Sequence, residues 1–112
     1  MRYHSQVRSY RGFPAAQRRR ALRWLRAAGT LPRSSCDLCG ASPGWPHSES
    51  YAEPFGPHIG AYSLCSRCHR LVHNRVRYPQ AWARLVECAR EIGREAVATA
   101  IERGDPFPPV PG

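Results

Sequence analysis

Two cysteine pairs constrain this 112-residue chain more than any other feature: Cys36-Asp37-Leu38-Cys39, followed by Gly40, and Cys65-Ser66-Arg67-Cys68, with 25 residues between them. Two residues between thiolates let a tight turn aim both sulfurs at one point about 2.3 Å away, and a glycine directly after the turn permits a positive φ. Two such knuckles predict one tetrahedral structural zinc bound by Cys36, Cys39, Cys65 and Cys68. A redox C-x2-C occurs once, beside a strand and a helix, and not as two matched knuckles. The fifth cysteine, Cys88, falls in a helical apolar stripe and reads as an inert core thiol. The length allows one domain and excludes a second. No run approaches the roughly 20 apolar residues of a membrane span. Nothing after Met1 resembles a secretory leader. The expectation is a soluble, cytoplasmic protein with no membrane partner, in which thiols bind metal instead of pairing.

Residues 1–13 lack periodicity and read as a flexible arm. Pro14 suits a helix start. In residues 15–28, Ala21, Trp24, Leu25 and Ala28 make one apolar stripe, and Gly29 ends the helix. Between the knuckles, prolines and glycines leave room only for short strands, expected at 45–51 and 61–64, paired as a ribbon over a helix. Ser66 reads as the cap of a short helix over 67–75. Tyr78-Pro79 breaks the chain, and a single long helix is expected over 80–103, with Trp82, Leu85, Val86, Ala89, Ile92, Ala96, Val97, Ala100 and Ile101 as its stripe. The tail, 105–112, holds four prolines in eight residues and reads as disordered or as a docking peptide. The fold class is therefore a small zinc-stabilised α+β domain over 14–104, its motif core at 36–75, flanked by an N-terminal basic helix and a long C-terminal helix.

Charge is distributed unevenly. All 17 cationic residues are Arg, and nine of them lie in residues 1–35, where there is no acid; from residue 36 onward eight Arg balance eight acids. A planar guanidinium fork matches phosphate oxygens. A face of Arg18, Arg19, Arg20, Arg23 and Arg26, joined by Arg67, Arg70 and Arg75, is expected to contact nucleic acid. Coding bias explains the choice of Arg over Lys but not the missing acids.

His69 and His73 stand four apart on the helix that leaves the second knuckle, so their rings share a face. His47 lies on the first expected strand, in the hairpin that would cover that helix. Three imidazoles can then converge. Since four sulfurs already satisfy one zinc, these histidines would define a second site with open positions, as catalytic metals require.

The series Cys36-x2-Cys39-Gly40, His47-Ser48-Glu49-Ser50-Tyr51-Ala52-Glu53-Pro54 and Leu64-Cys65-Ser66-Arg67-Cys68-His69-Arg70-Leu71-Val72-His73-Asn74 resembles the HNH endonuclease superfamily, in particular phage-type members. The resemblance covers a third of the chain. It implies a ββα-metal core, a structural zinc in the knuckles, and a second divalent ion (Mg2+, Mn2+, Ni2+ or Zn2+) held by His47, His69 and His73, with Asn74 a lesser candidate. It also implies a general-base histidine directly after His47, where this chain has Ser48. A neutral hydroxyl is no base near pH 7. Either His47 itself or His58, in the connection 54–62, would have to serve, or the base is lost.

Two functions follow as expectations. One is a metal-dependent DNA endonuclease or nickase. The other is a catalytically degenerate module that binds nucleic acid, or a protein partner through the basic face or the Pro-rich tail. A plain zinc-ribbon adaptor is a third reading.

Overall fold

The computed structural model describes residues 9–10, 12–29 and 35–108. Among them are four short strands and four helices: β1 (Ser9–Tyr10), β2 (Phe13–Pro14), α1 (Ala15–Ala27), β3 (Trp45–His47), β4 (Tyr62–Leu64), α2 (Ser66–His73), α3 (Pro79–Glu91) and α4 (Glu95–Arg103). None of the described helices is long and apolar enough to cross a membrane.

The centre is a hairpin laid on a helix. β3 and β4 pair antiparallel, Trp45 opposite Leu64, Pro46 opposite Ser63 and His47 opposite Tyr62. Pro46 has no N–H to give, which an edge strand tolerates. The first knuckle adds to the hairpin's outer side: the Asp37 amide donates to the Ser63 carbonyl at 2.6 Å, and the Ser63 amide to Asp37 Oδ2 at 2.8 Å. Within that knuckle the Gly40 amide closes on the Cys36 carbonyl at 3.0 Å. Gly40 sits at φ +81°, the left-handed region the turn requires.

α2 begins one residue earlier than its sequence suggests. Cys65, not Ser66, is the cap: its backbone is extended and its sulfur accepts from the Cys68 amide at 3.5 Å. A thiolate can satisfy the helix's first amides as a hydroxyl would, so the knuckle and the helix start are one device.

The C-terminal helix is two helices, which corrects the expectation of one over 80–103. At Gly93, φ is +79°, and the Arg94 amide bonds the Ala89 carbonyl at 2.7 Å, closing α3. The turn lets α4 fold back, so Ala98 and Ile101 join Trp82, Leu85 and Ala89 in one core with Leu38, Tyr62, Leu64 and Val72. Trp82 Nε1 donates to Glu102 at 3.2 Å across the pair. A continuous helix would have carried Ala98 and Ile101 away from this core. As a consequence Ile92 and Ala96, expected in the stripe, are exposed. Cys88 is exposed as well, because α3 rests on Trp82, Leu85 and Ala89 and leaves position 88 on the rim.

A second, smaller core seats α1 against the connection between β3 and β4. Ala21, Leu25, Tyr51 and Ile59 are its buried residues, with Phe13, Trp24 and Phe55 against them. Ala28, expected in the α1 stripe, is exposed. Of the expected arm, residues 9–10 form β1 and pair with Phe13 and with Pro14, the expected helix start, as β2, and residues 1–8 and 11 lie outside those described. Of the expected tail, residues 105–108 are placed: the buried Tyr62 hydroxyl reaches the carbonyls of Asp105 and Phe107 at 2.7 and 2.6 Å. Residues 109–112 fall outside those described.

Gly60 joins hairpin and α1. Its φ is +68°, and a Cβ there would stand 2.8 Å from Leu25 Cδ2 and 3.3 Å from Pro46 Cβ. Gly60→Ala should therefore destabilise the protein by about 1–3 kcal/mol, from left-handed strain plus overpacking. The expected readout is a lower urea midpoint at unchanged m-value.

Candidate metal centres and basic face

The two knuckles bring four sulfurs together. The ligating atoms of Cys36, Cys39, Cys65 and Cys68 all lie within 4.8 Å of one another, and Cys39 Sγ stands 3.6 Å from Cys65 Sγ. Sulfurs about 2.3 Å from a tetrahedral ion are separated by about 3.8 Å, so the group fits a metal without rearrangement. The Leu38 and Cys39 amides both point at Cys36 Sγ, at 3.4 Å. Such donors favour a thiolate. The hydrogen bond with Cys68 is the largest influence on Cys36 and holds its thiol down at about 4, while the same bond pushes Cys68 up. Desolvation pushes Cys39 up. Cys36 is thus favoured as a thiolate beside thiols that hold their protons, and a divalent cation bound there would displace those protons.

A second group forms where β3 meets α2. His47, His69 and His73 offer ring nitrogens within 4.8 Å of one another. The Nε2 atoms of His69 and His73 are 3.0 Å apart, as their spacing of four on one helix face dictates. His47 is 2 % exposed and stands edge-on to both, at centroid distances of 5.1 and 5.0 Å. Loss of hydration, with the neighbouring His47 ring adding to it, lowers His69 and His73 to about 4. Both imidazoles are therefore neutral near pH 7, the form that ligates metal.

Glu49 completes this neighbourhood and was missed in the sequence. It is 1 % exposed; Oε2 bonds His47 Nε2, and Oε1 accepts from Arg75 Nη2 at 2.9 Å. Strand alternation did not mark it: β3 was expected over 45–51 but ends at His47, and Glu49 lies in the bend that follows.

Ser48 faces the opposite side. It is 2 % exposed, its Oγ accepts from the Gly60 amide at 2.6 Å, and it shares a hydrogen bond with the Tyr51 hydroxyl. His58 does not join the trio: its Nε2 bonds the Ala52 carbonyl at 2.8 Å, and its ring stands edge-on to Phe107 at 6.0 Å. Asn74 turns back to the Arg70 carbonyl at 2.8 Å.

The arginines divide. Arg19, Arg20, Arg23 and Arg26 on α1 and Arg67 and Arg70 on α2 are exposed. Arg20 stands 3.7 Å from Glu53 in a half-exposed pair. Such a pair contributes little and leaves the cation available. Arg18 is half-buried, and its Nε has no hydrogen-bond partner. Arg75, expected with the phosphate-facing cations, points inward to Glu49 and to the Val72 carbonyl at 2.8 Å.

Comparison with known protein families, with curated proteins and with solved structures finds no match to this chain.

Two predictions follow from this geometry. His69 and His73 titrate at about 4 in the folded chain against an ordinary 6.5. The unfolded chain therefore binds more protons between those values, and stability should fall as pH drops from about 6.5 toward 4. Urea midpoints across that range should show an acid limb that flattens in a His69→Gln, His73→Gln variant. Ser48→His, in turn, should not install a base. It removes the bond to Gly60 and forces an imidazole into a closed space, so the zinc-loaded variant should lose about 1–3 kcal/mol in urea titration.

Proposed function

We propose that this protein is an HNH-like zinc module that binds nucleic acid and uses its histidine trio, charged with a second divalent ion, to nick DNA. The observation that carries this reading is the convergence of His47, His69 and His73 within 4.8 Å, on a hairpin and helix, apart from the four sulfurs. Four thiolates take zinc and leave no open position, whereas three imidazoles leave at least one. A divalent ion bound there supplies a Lewis acid to a phosphodiester oxygen and stabilises the leaving oxygen. The chain's own residues would hold the ion and the phosphate. Neutral His69 and His73 present lone pairs at pH 7, and the exposed Arg67 and Arg70 on the same helix neutralise phosphate charge. The Arg face of α1 tracks the backbone and accounts for sequence-independent affinity.

A second reading is a binding module with a degenerate centre. The enclosed Ser48 hydroxyl and the engagement of His58 with Ala52 favour it, since neither side chain stands with the trio as a base.

Plasmid nicking with magnesium, manganese, nickel or zinc separates the two. The nuclease reading expects nicking in at least one metal, abolished by His73→Ala with DNA binding retained. Intact binding without nicking in any metal leaves the module. Native mass spectrometry should find one zinc that is lost when Cys36 and Cys65 are replaced by Ser. The logarithm of DNA affinity should fall with the logarithm of salt, and Arg19, Arg20 and Arg23→Gln should flatten that slope by up to about three units.

A further inference from the structure

Glu49 is the most enclosed charged side chain described, 1 % exposed, between the hairpin and the end of α2. Burying a carboxylate costs several kcal/mol unless it is paired and hydrogen-bonded. Its two oxygens are divided between two partners: Oε1 takes Arg75 Nη2 at 2.9 Å, and Oε2 bonds His47 Nε2. Arg75 is itself tethered, its Nη1 donating to the Val72 carbonyl at 2.8 Å. The chain from α2 to His47 is therefore continuous: helix carbonyl, guanidinium, carboxylate, imidazole. A tie between hairpin and helix alone would be served by the ion pair and would not need the ring nitrogen of a trio member.

We propose that Glu49, anchored by Arg75, is the positioning residue of the histidine centre: it holds the proton of His47 on Nε2 and so presents the Nδ1 lone pair to the ion. A carboxylate behind a ligating imidazole fixes its tautomer and rotation and raises its basicity. Because Arg75 cancels the charge of Glu49, and an imidazole ligates as a neutral ring, an ion held there would keep its double charge for an anionic ligand such as a phosphodiester. The inference rests on the reading of the trio as an ion site.

The test uses the full chain with zinc in its cysteine site and cobalt(II) as the probe of the histidine site, followed by visible absorption. Glu49→Ala should weaken cobalt affinity by about 10- to 100-fold. Glu49→Gln should fall between, since its carbonyl accepts from Nε2–H without the charge. Glu49→Gln combined with Arg75→Met leaves no buried unpaired charge, so it separates positioning from folding; far-UV circular dichroism should be unchanged while cobalt affinity drops and the visible band at saturation shifts. In the unmutated protein, imidazole nitrogen NMR should show His47 as the Nε2–H tautomer. Wild-type affinity and spectrum in the double variant, or a His47 protonated on Nδ1, overturns the inference and leaves the trio standing. No uptake of cobalt beyond the cysteine site in the unmutated protein overturns both.

Discussion

The convergence of Cys36, Cys39, Cys65 and Cys68 is the constraint on which the rest of the molecule hangs. It joins two turns separated by 25 residues of proline- and glycine-rich chain that has little capacity to order itself. The second knuckle follows β4 directly and caps α2 through Cys65, so the residues that gather the sulfurs also aim the helix bearing His69 and His73. The first knuckle clips onto β4 through Asp37 and Ser63, and β4 carries β3 and His47 as its partner strand. A core this small gains from a metal, whose binding free energy in such sites is on the order of 10 kcal/mol. The sulfur centre would then supply stability, and the histidine centre depends on it for position.

Residues 47–49, at and just past the end of β3, separate two environments. His47 and Glu49 look toward α2, where imidazoles, a carboxylate and a guanidinium satisfy one another. Ser48 looks toward α1, where its oxygen holds Gly60 and Gly60 admits Leu25. A histidine would have to occupy this second environment, among apolar neighbours and beyond the trio. Ser48 is thus a structural position in this chain, held by the Gly60 amide where α1 packs against the connection between β3 and β4.

That packing also sets where the basic helix stands. Ala21 and Leu25 bury one stripe of α1, which turns Arg19, Arg23 and Arg26 outward. The arginines then differ in use according to burial. Arg19, Arg20, Arg23 and Arg26 on α1 and Arg67 and Arg70 on α2 face water, whereas Arg75, just past the end of α2, serves the interior. Like side chains on one sequence therefore divide between a surface that can meet a polyanion and a site that must cancel an acid.

By itself the sequence determined what depends on short spacing. The knuckles, the pairing of His69 with His73, the stripe of α1 and the short strands between prolines are local, because turn geometry and helical period act over four or five residues. Tertiary structure decided the rest. The apolar stripe runs unbroken through residues 80–103, and only the return of Ala98 and Ile101 onto Ala89 shows why Gly93 turns the chain. The same packing sent Cys88, Ile92 and Ala96 to the surface. The burial of Glu49 against Arg75, 26 residues away, has no local signature, since a charge declares its partner only once the hairpin lies on α2. Long-range pairing of this kind is set by which surfaces meet, and periodicity along the chain does not encode it.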